Sequence, residues 1–360
     1  MLNASGFIDN DLKDENYNRL GDLNRGGTSA DAKIFYRRRN SEMWGIKNLG
    51  FYFALEFHYL DENMFTKDLY RLTLYGNKEF AGECADISNT ARQYLNYYQL
   101  KAGLEQISGN GKHRYGFNLA FNMGNRLNNF RFYEPSGLFT NLAGTELILK
   151  SDAEYNESDT ARTDWYHLNG YGAGLDIYYE YRKEDRFKIL VSMENFGFIR
   201  WNNQYIQFAE NEKYSYTGFD IKNVMDISES VDMSDDTLMN YIYANSEQKA
   251  SSVFTPADIK LRYTQLLLSG KVEMNLLAHY RAFTFIMPLV QWDATYALSE
   301  GLKAGPVLSY GGYTGFNAGL KLDMRLLRKF YIRLESRYIT GFAQHSFSGM
   351  GGFINFTYKI

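Results

Sequence analysis

From Ala257 to Ile360, apolar and polar residues alternate with a period of two. Ile259, Leu261 and Tyr263 alternate with Asp258, Lys260, Arg262 and Thr264. After Ser269-Gly270, the same rhythm sets Val272, Met274, Leu276, Ala278 and Tyr280 against Lys271, Glu273, Asn275, His279 and Arg281. Val290, Trp292, Ala294 and Tyr296 then face Gln291, Asp293 and Thr295. Leu302 to Tyr310 follows a Ser-Glu-Gly turn. Phe316, Ala318, Leu320, Leu322 and Met324 alternate with Asn317, Lys321, Asp323 and Arg325, and Phe330, Ile332 and Leu334 with Tyr331, Arg333, Glu335 and Arg337. The run Met350, Gly352, Ile354, Phe356, Tyr358, Ile360 comes last. These are strands of about ten residues joined by short turns. With no helix between them they predict an antiparallel meander, because parallel strands need crossovers.

The N-terminal half repeats the signal less regularly. Leu49, Phe51, Phe53, Leu55, Phe57 and Tyr59 alternate with Gly50, Tyr52, Ala54, Glu56 and His58. Strands are also predicted around Tyr98–Leu104, Tyr115–Met123, Tyr171–Tyr179 and Phe187–Met193. Weaker segments lie near Lys33–Arg39, Asn129–Lys150 and Tyr205–Tyr216, for about fourteen strands in all. Two segments break the rhythm. Thr66 to Leu72 reads as a short helix, with Thr66 as N-cap, Asp68 in the first turn and Gly76 beyond its end. The acidic stretch at 220–250 reads as a loop insertion in which Ser234 caps a short helix whose first turn holds Asp235 and Asp236.

Alternation alone does not say which face meets water. A soluble sheet would turn its apolar face inward, whereas a membrane barrel turns it toward lipid and keeps polar residues inside. Tilted strands of about ten residues cover an apolar band of about 25 Å, and strands of soluble sheets are usually about five or six residues long. A meander this long leaves unpaired edges unless it closes. The 30 Tyr, 26 Phe and 4 Trp match the aromatic girdles of such barrels. The expected fold is therefore all-β: an antiparallel transmembrane β-barrel of about 14 strands with short helical insertions. Residues 1–360 read as one barrel domain.

Charge and cysteine content narrow the chemistry. The 39 basic and 42 acidic side chains leave a net charge of −3, so no basic footprint for nucleic acid is present. Cys84 is the one cysteine and cannot pair within the chain. Among His58, His113, His167, His279 and His345, no pair has metal-ligand spacing. His345 lies near Ser346 and Ser348, but the G-x-S-x-G elbow of a hydrolase is absent, and no enzyme and no cofactor are expected. Asp232, Asp235 and Asp236 lack the spacing of a known calcium loop.

Several stretches carry a family resemblance. They are Tyr75-Gly76-Asn77 with Phe80-Ala81-Gly82 and Asp86, Phe196-Gly197-Phe198-Ile199-Arg200-Trp201, Tyr216-Thr217-Gly218-Phe219-Asp220, and Ser252-Val253-Phe254-Thr255-Pro256. From about residue 30 onward the chain resembles a family of uncharacterised outer-membrane β-barrels from Bacteroidota. These are similar in architecture to long-chain fatty-acid transporters and to accessory barrels of type IX secretion. The resemblance implies a Gram-negative outer membrane and its lipid as surroundings. The role it implies is binding or transport of a hydrophobic or amphipathic small molecule; the alternative is a non-transporting part in secretion or surface assembly with a machinery partner. Such proteins begin with a signal peptide and further N-terminal sequence, so Met1-Leu2-Asn3-Ala4-Ser5 is expected to be the start of an N-terminally incomplete chain.

The residues expected to face the lumen are Lys271, Glu273, His279, Arg281, Lys321, Asp323, Arg325, Arg333, Glu335 and Arg337. They either line a solute path or fill the interior as cross-strand ion pairs. Leu320 sits on the opposite, lipid-facing row. Leu320→Arg should therefore destabilise the protein in bilayers by roughly 2–4 kcal/mol, and Lys321→Arg by little. Urea titration of both variants in lipid vesicles measures the difference.

Overall fold

A computed structural model of the chain describes residues 10–43, 45–162, 164–183, 186–202, 206–216, 244–327, 329–339 and 349–359. The helix read around Ser234, and His345, Ser346 and Ser348, lie outside the described residues. Helix α1 (Asn10–Arg19) precedes β1 (Leu23–Met43) and β2 (Ile46–Thr66), and then comes α2 (Lys67–Tyr75). β3 (Cys84–Asp86), β4 (Ala91–Ile107), β5 (His113–Thr140), β6 (Leu147–Glu157), β7 (Gly170–Lys183), β8 (Phe187–Trp201) and β9 (Ile206–Tyr216) follow. The second half holds β10 (Glu247–Gln248), β11 (Ser252–Phe254), β12 (Ala257–Leu267), β13 (Val272–Ala282), β14 (Met287–Ser299) and β15 (Leu302–Gly312). β16 (Gly315–Leu327), β17 (Phe330–Ser336) and β18 (Phe353–Tyr358) end it.

Among the described residues, thirteen strands form the wall in the order β1-β2-β4-β5-β7-β8-β12-β13-β14-β15-β16-β17-β18. Every ladder in that series is antiparallel. One end of the wall carries short turns, such as Glu300-Gly301, and the end of β18. The other end carries the long excursions, including α1, α2 and a second sheet. Short turns on one side and long loops on the other mark the two ends of a membrane barrel; they are called here the turn end and the loop end.

The second sheet is a consequence of the length of β5. Its first part, from His113, pairs with β4 and β7. Its last part runs on to Thr140 and pairs with β3 and β6. β6 pairs with β9, and β9 with β10, so a sheet ordered β3-β5-β6-β9-β10 stands off the loop end. The alternation of Asn128–Thr140 is broken because this segment has no lipid-facing side to keep apolar.

Burial follows the inverted reading of the faces. Leu320 is 57% exposed and its neighbour Lys321 5%; Leu276 is 47% exposed and Asn275 5%. A soluble sheet packed on an apolar core would show the reverse. Helix α2 begins where Thr66 Oγ1 accepts the Leu69 N–H at 3.1 Å. It ends at Gly76, whose φ of 85° lies in the left-handed region and whose N–H donates to Leu72 O. α1 docks on α2: Tyr70 Oη donates to Lys13 O at 3.3 Å, and Tyr75 Oη to Asp14 at 2.5 Å. The bond to Asp14 pushes the Tyr75 phenol up to about 12.

A membrane barrel of this kind resists detergent until it is heated. The unboiled protein in detergent is expected to migrate differently from the boiled protein on a gel. Recovery of a stable, soluble monomer without detergent would contradict the membrane fold.

Candidate functional site in the barrel lumen

The inward positions of the strands carry charge, and charge removed from water requires partners. Those partners form a closed ring. On β2, Glu56 meets Lys101 of β4 at 3.1 Å, and Lys101 meets Asp176 of β7 at 3.0 Å. Asp176 accepts the Asn195 N–H at 2.7 Å, which is reachable because Asn195, on β8, takes a φ of 63°. Asn195 Nδ2 donates to Asp258 on β12 at 3.2 Å, and Arg281 of β13 lies 3.4 Å from Asp258. Arg281 then reaches Asp31 of β1 at 3.4 Å, and Asp31 meets His58 Nδ1 at 2.7 Å. His58, 3.3 Å from Glu56, closes the circuit. Side branches attach Lys33 to Glu56 at 2.7 Å and His279 to Asp258 at 2.7 Å.

Arg281 and Asp31 stand on strands six or more places apart around the wall in either direction. Their pair therefore spans the lumen. Beyond it lies a second cluster, in which Asp293 accepts from Asn275 at 2.9 Å and from Lys321 at 2.7 Å. Gln291 Nε2 donates to Glu335 at 3.1 Å. Toward the loop end the interior becomes apolar, with Leu60, Leu95, Tyr97, Leu127, Ile199 and Trp201 fully packed together. Gly124 and Gly170 make that packing possible, since a Cβ on either would lie 2.8 Å from the Ile199 side chain. Over this layer, Glu62 accepts the Phe285 N–H at 2.7 Å and the Tyr313 hydroxyl, tying two loop-end connections to β2.

The residues expected in the lumen divide between these places. His279 and Arg281 belong to the ring. Lys321 and Glu335 belong to the second cluster. Asp323 and Arg333 pair with each other at 2.5 Å, Arg337 stands 3.6 Å from Glu335, and Glu273 is 3.6 Å from Lys303. Lys271 and Arg325 are exposed near the turn end and join neither group. Sequence reasoning passed over Asp31, Glu56, His58, Lys101, Asp176, Asn195 and Asp258 as site residues. The available signal was a charged residue on the inward row of a long strand, as with Glu56 and His58 between Leu55, Phe57 and Tyr59. Among the described residues, no group of His, Cys, Asp and Glu side chains could hold a metal ion.

A sequential antiparallel wall, apolar outside and ion-paired inside, defines a transmembrane β-barrel. Within that class, the chain belongs to a family of unknown function, DUF5723, which matches residues 6–333. Among solved structures, it is similar to the P. putida toluene transporter TodX at 7% identity, covering 87% of this chain and 82% of that one, with a TM-score of 0.36. It is also similar to the Ralstonia pickettii toluene transporter TbuX at 6% identity, covering 88% and 84%, with a TM-score of 0.38. No curated protein matches.

Lys101 is buried between Glu56 and Asp176. Lys101→Met takes the cation from buried Asp176 and leaves Glu56 with Lys33 and His58, and a loss of about 3–5 kcal/mol in folding stability is expected. Arg19→Met, at an exposed pair with Glu15, should change stability by less than about 1 kcal/mol. Parallel urea titrations in lipid vesicles compare the two.

Proposed function

We propose that this protein is an outer-membrane barrel that works as an accessory platform for secretion or surface assembly rather than as an aqueous pore. The observation that carries this reading is the Arg281–Asp31 pair, which crosses the lumen as part of a ring of paired charges, most of them buried. A permeation path needs polar groups that water or solute can reach, yet Glu56, Lys101, Asp176 and Asp258 are all buried. The loop end offers contact surface instead. The β3-β5-β6-β9-β10 sheet projects there, and Leu142, Trp165 and Tyr166 are exposed on its connections. Exposed aromatic groups at a polar rim are the kind of anchor that protein partners use.

A second reading, binding or passage of a hydrophobic small molecule, draws on a different feature. A groove of about 710 Å³ on the outer wall is lined by Ile34, Tyr36, Phe53, Leu55, Leu119 and Phe121. Such a route would run beside the lumen and not through it.

Planar-bilayer recordings test the closed lumen. The wild-type protein should show no steady ion conductance, and the Asp31→Ala, Arg281→Ala double variant should show conductance steps. Steady conductance from the wild type would sink the platform reading. Saturable uptake of a labelled fatty acid by expressing cells, absent from cells without the protein, would favour the second.

A further inference from the structure

The outer face of β2, β4 and β5 changes character along the strands. In register across the three, it runs from Phe53, Ala102 and Leu119, through Leu55, Leu100 and Phe121, to Phe57, Tyr98 and Met123. The next row toward the loop end is Tyr59, Asn96 and Arg126; beyond it stand Asp61 with Tyr94, and then Arg92. Phe57 and Tyr98 meet at 5.3 Å between ring centroids, and Tyr59 and Tyr94 edge to face at 5.6 Å. Apolar rows, then tyrosines, then charge is the order of a boundary between lipid and water. Ala102 is small and lies between Phe53 and Leu119, which are 52% and 61% exposed. The groove of about 710 Å³ opens over it.

Above the groove, the charges are set out for an anion. Arg92 and Arg126 lie over one ring, that of Tyr94, at 5.9 Å and 5.4 Å from its centroid. Arg92 Nε and Nη2 donate to the two oxygens of Asp61, each at 3.1 Å. Two guanidinium groups and one carboxylate leave this group positive. Stacking on Tyr94 holds both guanidinium planes at the boundary, and such planes match the oxygens of a phosphate. The depth of the groove fits as well. From Ala102 to Asn96, beside Arg126, β4 extends about 20 Å, or about 15 Å along the membrane normal at the usual tilt. That is about half of a hydrocarbon core of about 30 Å, the depth of one leaflet.

We propose that this column binds one anionic, phosphate-bearing lipid of the leaflet at the loop end. Its phosphate sits at Arg126 and Arg92, and one acyl chain runs past Tyr98 and Leu100 into the groove at Ala102. The inference rests on the outward sense of the apolar row and on neither functional reading above. A hydrocarbon would use the groove and leave the arginines idle, and a free anion would do the reverse. Only an amphiphile with an anionic head and a chain about one leaflet long engages both. A zwitterionic lipid carries an ammonium group that offsets its phosphate, so it gains less from the uncompensated positive charge.

Native mass spectrometry of the full chain tests this. The protein is extracted in mild detergent from vesicles of phosphatidylcholine and phosphatidylglycerol with matched chains at equal mole fraction, and the retained lipids are counted. Only variants that keep heat-modifiable migration are compared, so misfolded protein does not enter. The wild type should retain one phosphatidylglycerol in preference to phosphatidylcholine. Arg126→Gln should lower that preference about fivefold, the effect of one cation near a membrane surface, and Arg126→Lys should keep most of it. Ala102→Phe, which fills the groove, should lower retention of phosphatidylglycerol. Arg325→Gln, at the turn end, should change neither. Any of four results would overturn the proposal: equal retention of the two lipids by the wild type, no effect of Arg126→Gln or of Ala102→Phe, an equal loss in Arg325→Gln, or displacement of the bound lipid by equimolar oleate.

Discussion

Charge taken out of water must find opposite charge or hydrogen bonds, and this requirement organises the interior of the protein. Asp258 meets it with Asn195, His279 and Arg281 all directed at one carboxylate. Asn195 comes from β8, and His279 and Arg281 from β13. Their convergence sets the relative positions of β8, β12 and β13, and through Arg281 and Asp31 it draws the far wall inward. Buried ion pairs of this kind add little net stability compared with apolar packing of the same volume. Breaking one is severe, however, because the remaining charge has no water to return to. The ring therefore acts on register and on the state of the lumen more than on overall stability.

The outer surface obeys the complementary constraint. Lipid accepts apolar side chains at no loss but cannot satisfy backbone groups, so every strand in it needs a neighbour on both sides. That makes strand direction and strand number part of the energetics, and not merely of the description. At the loop end the constraint is lifted. β5 continues beyond the wall and changes partners from β4 and β7 to β3 and β6. The projecting sheet it builds is free of the alternation required below, and this freedom leaves room for recognition at that end.

Much of the wall was legible in the residues. The alternation from Ile259 to Leu334 places β12 to β17 within a few residues of their ends, and Thr66 and Gly76 bracket α2. The projecting sheet was not legible, because Asn128–Thr140 has no single face in one solvent. The site was legible only in part. Lys321, Asp323, Arg333 and Glu335 stood out because like positions on adjacent strands oppose each other in register. Asp31 did not, and although Arg281 was expected in the lumen, its pairing with Asp31 was not legible, since 250 residues separate them.

What the sequence determined by itself was the alternation of side chains between two faces along the regular strands, because a strand's period of two is a local property of the backbone. It also determined that the polar row must be satisfied inside. Which carboxylate meets which cation was decided by the tertiary structure alone. Pairing of that kind depends on the curvature of the wall and on the approach of strands from opposite sides, and Coulomb attraction across the lumen selects among partners that no local pattern brings together.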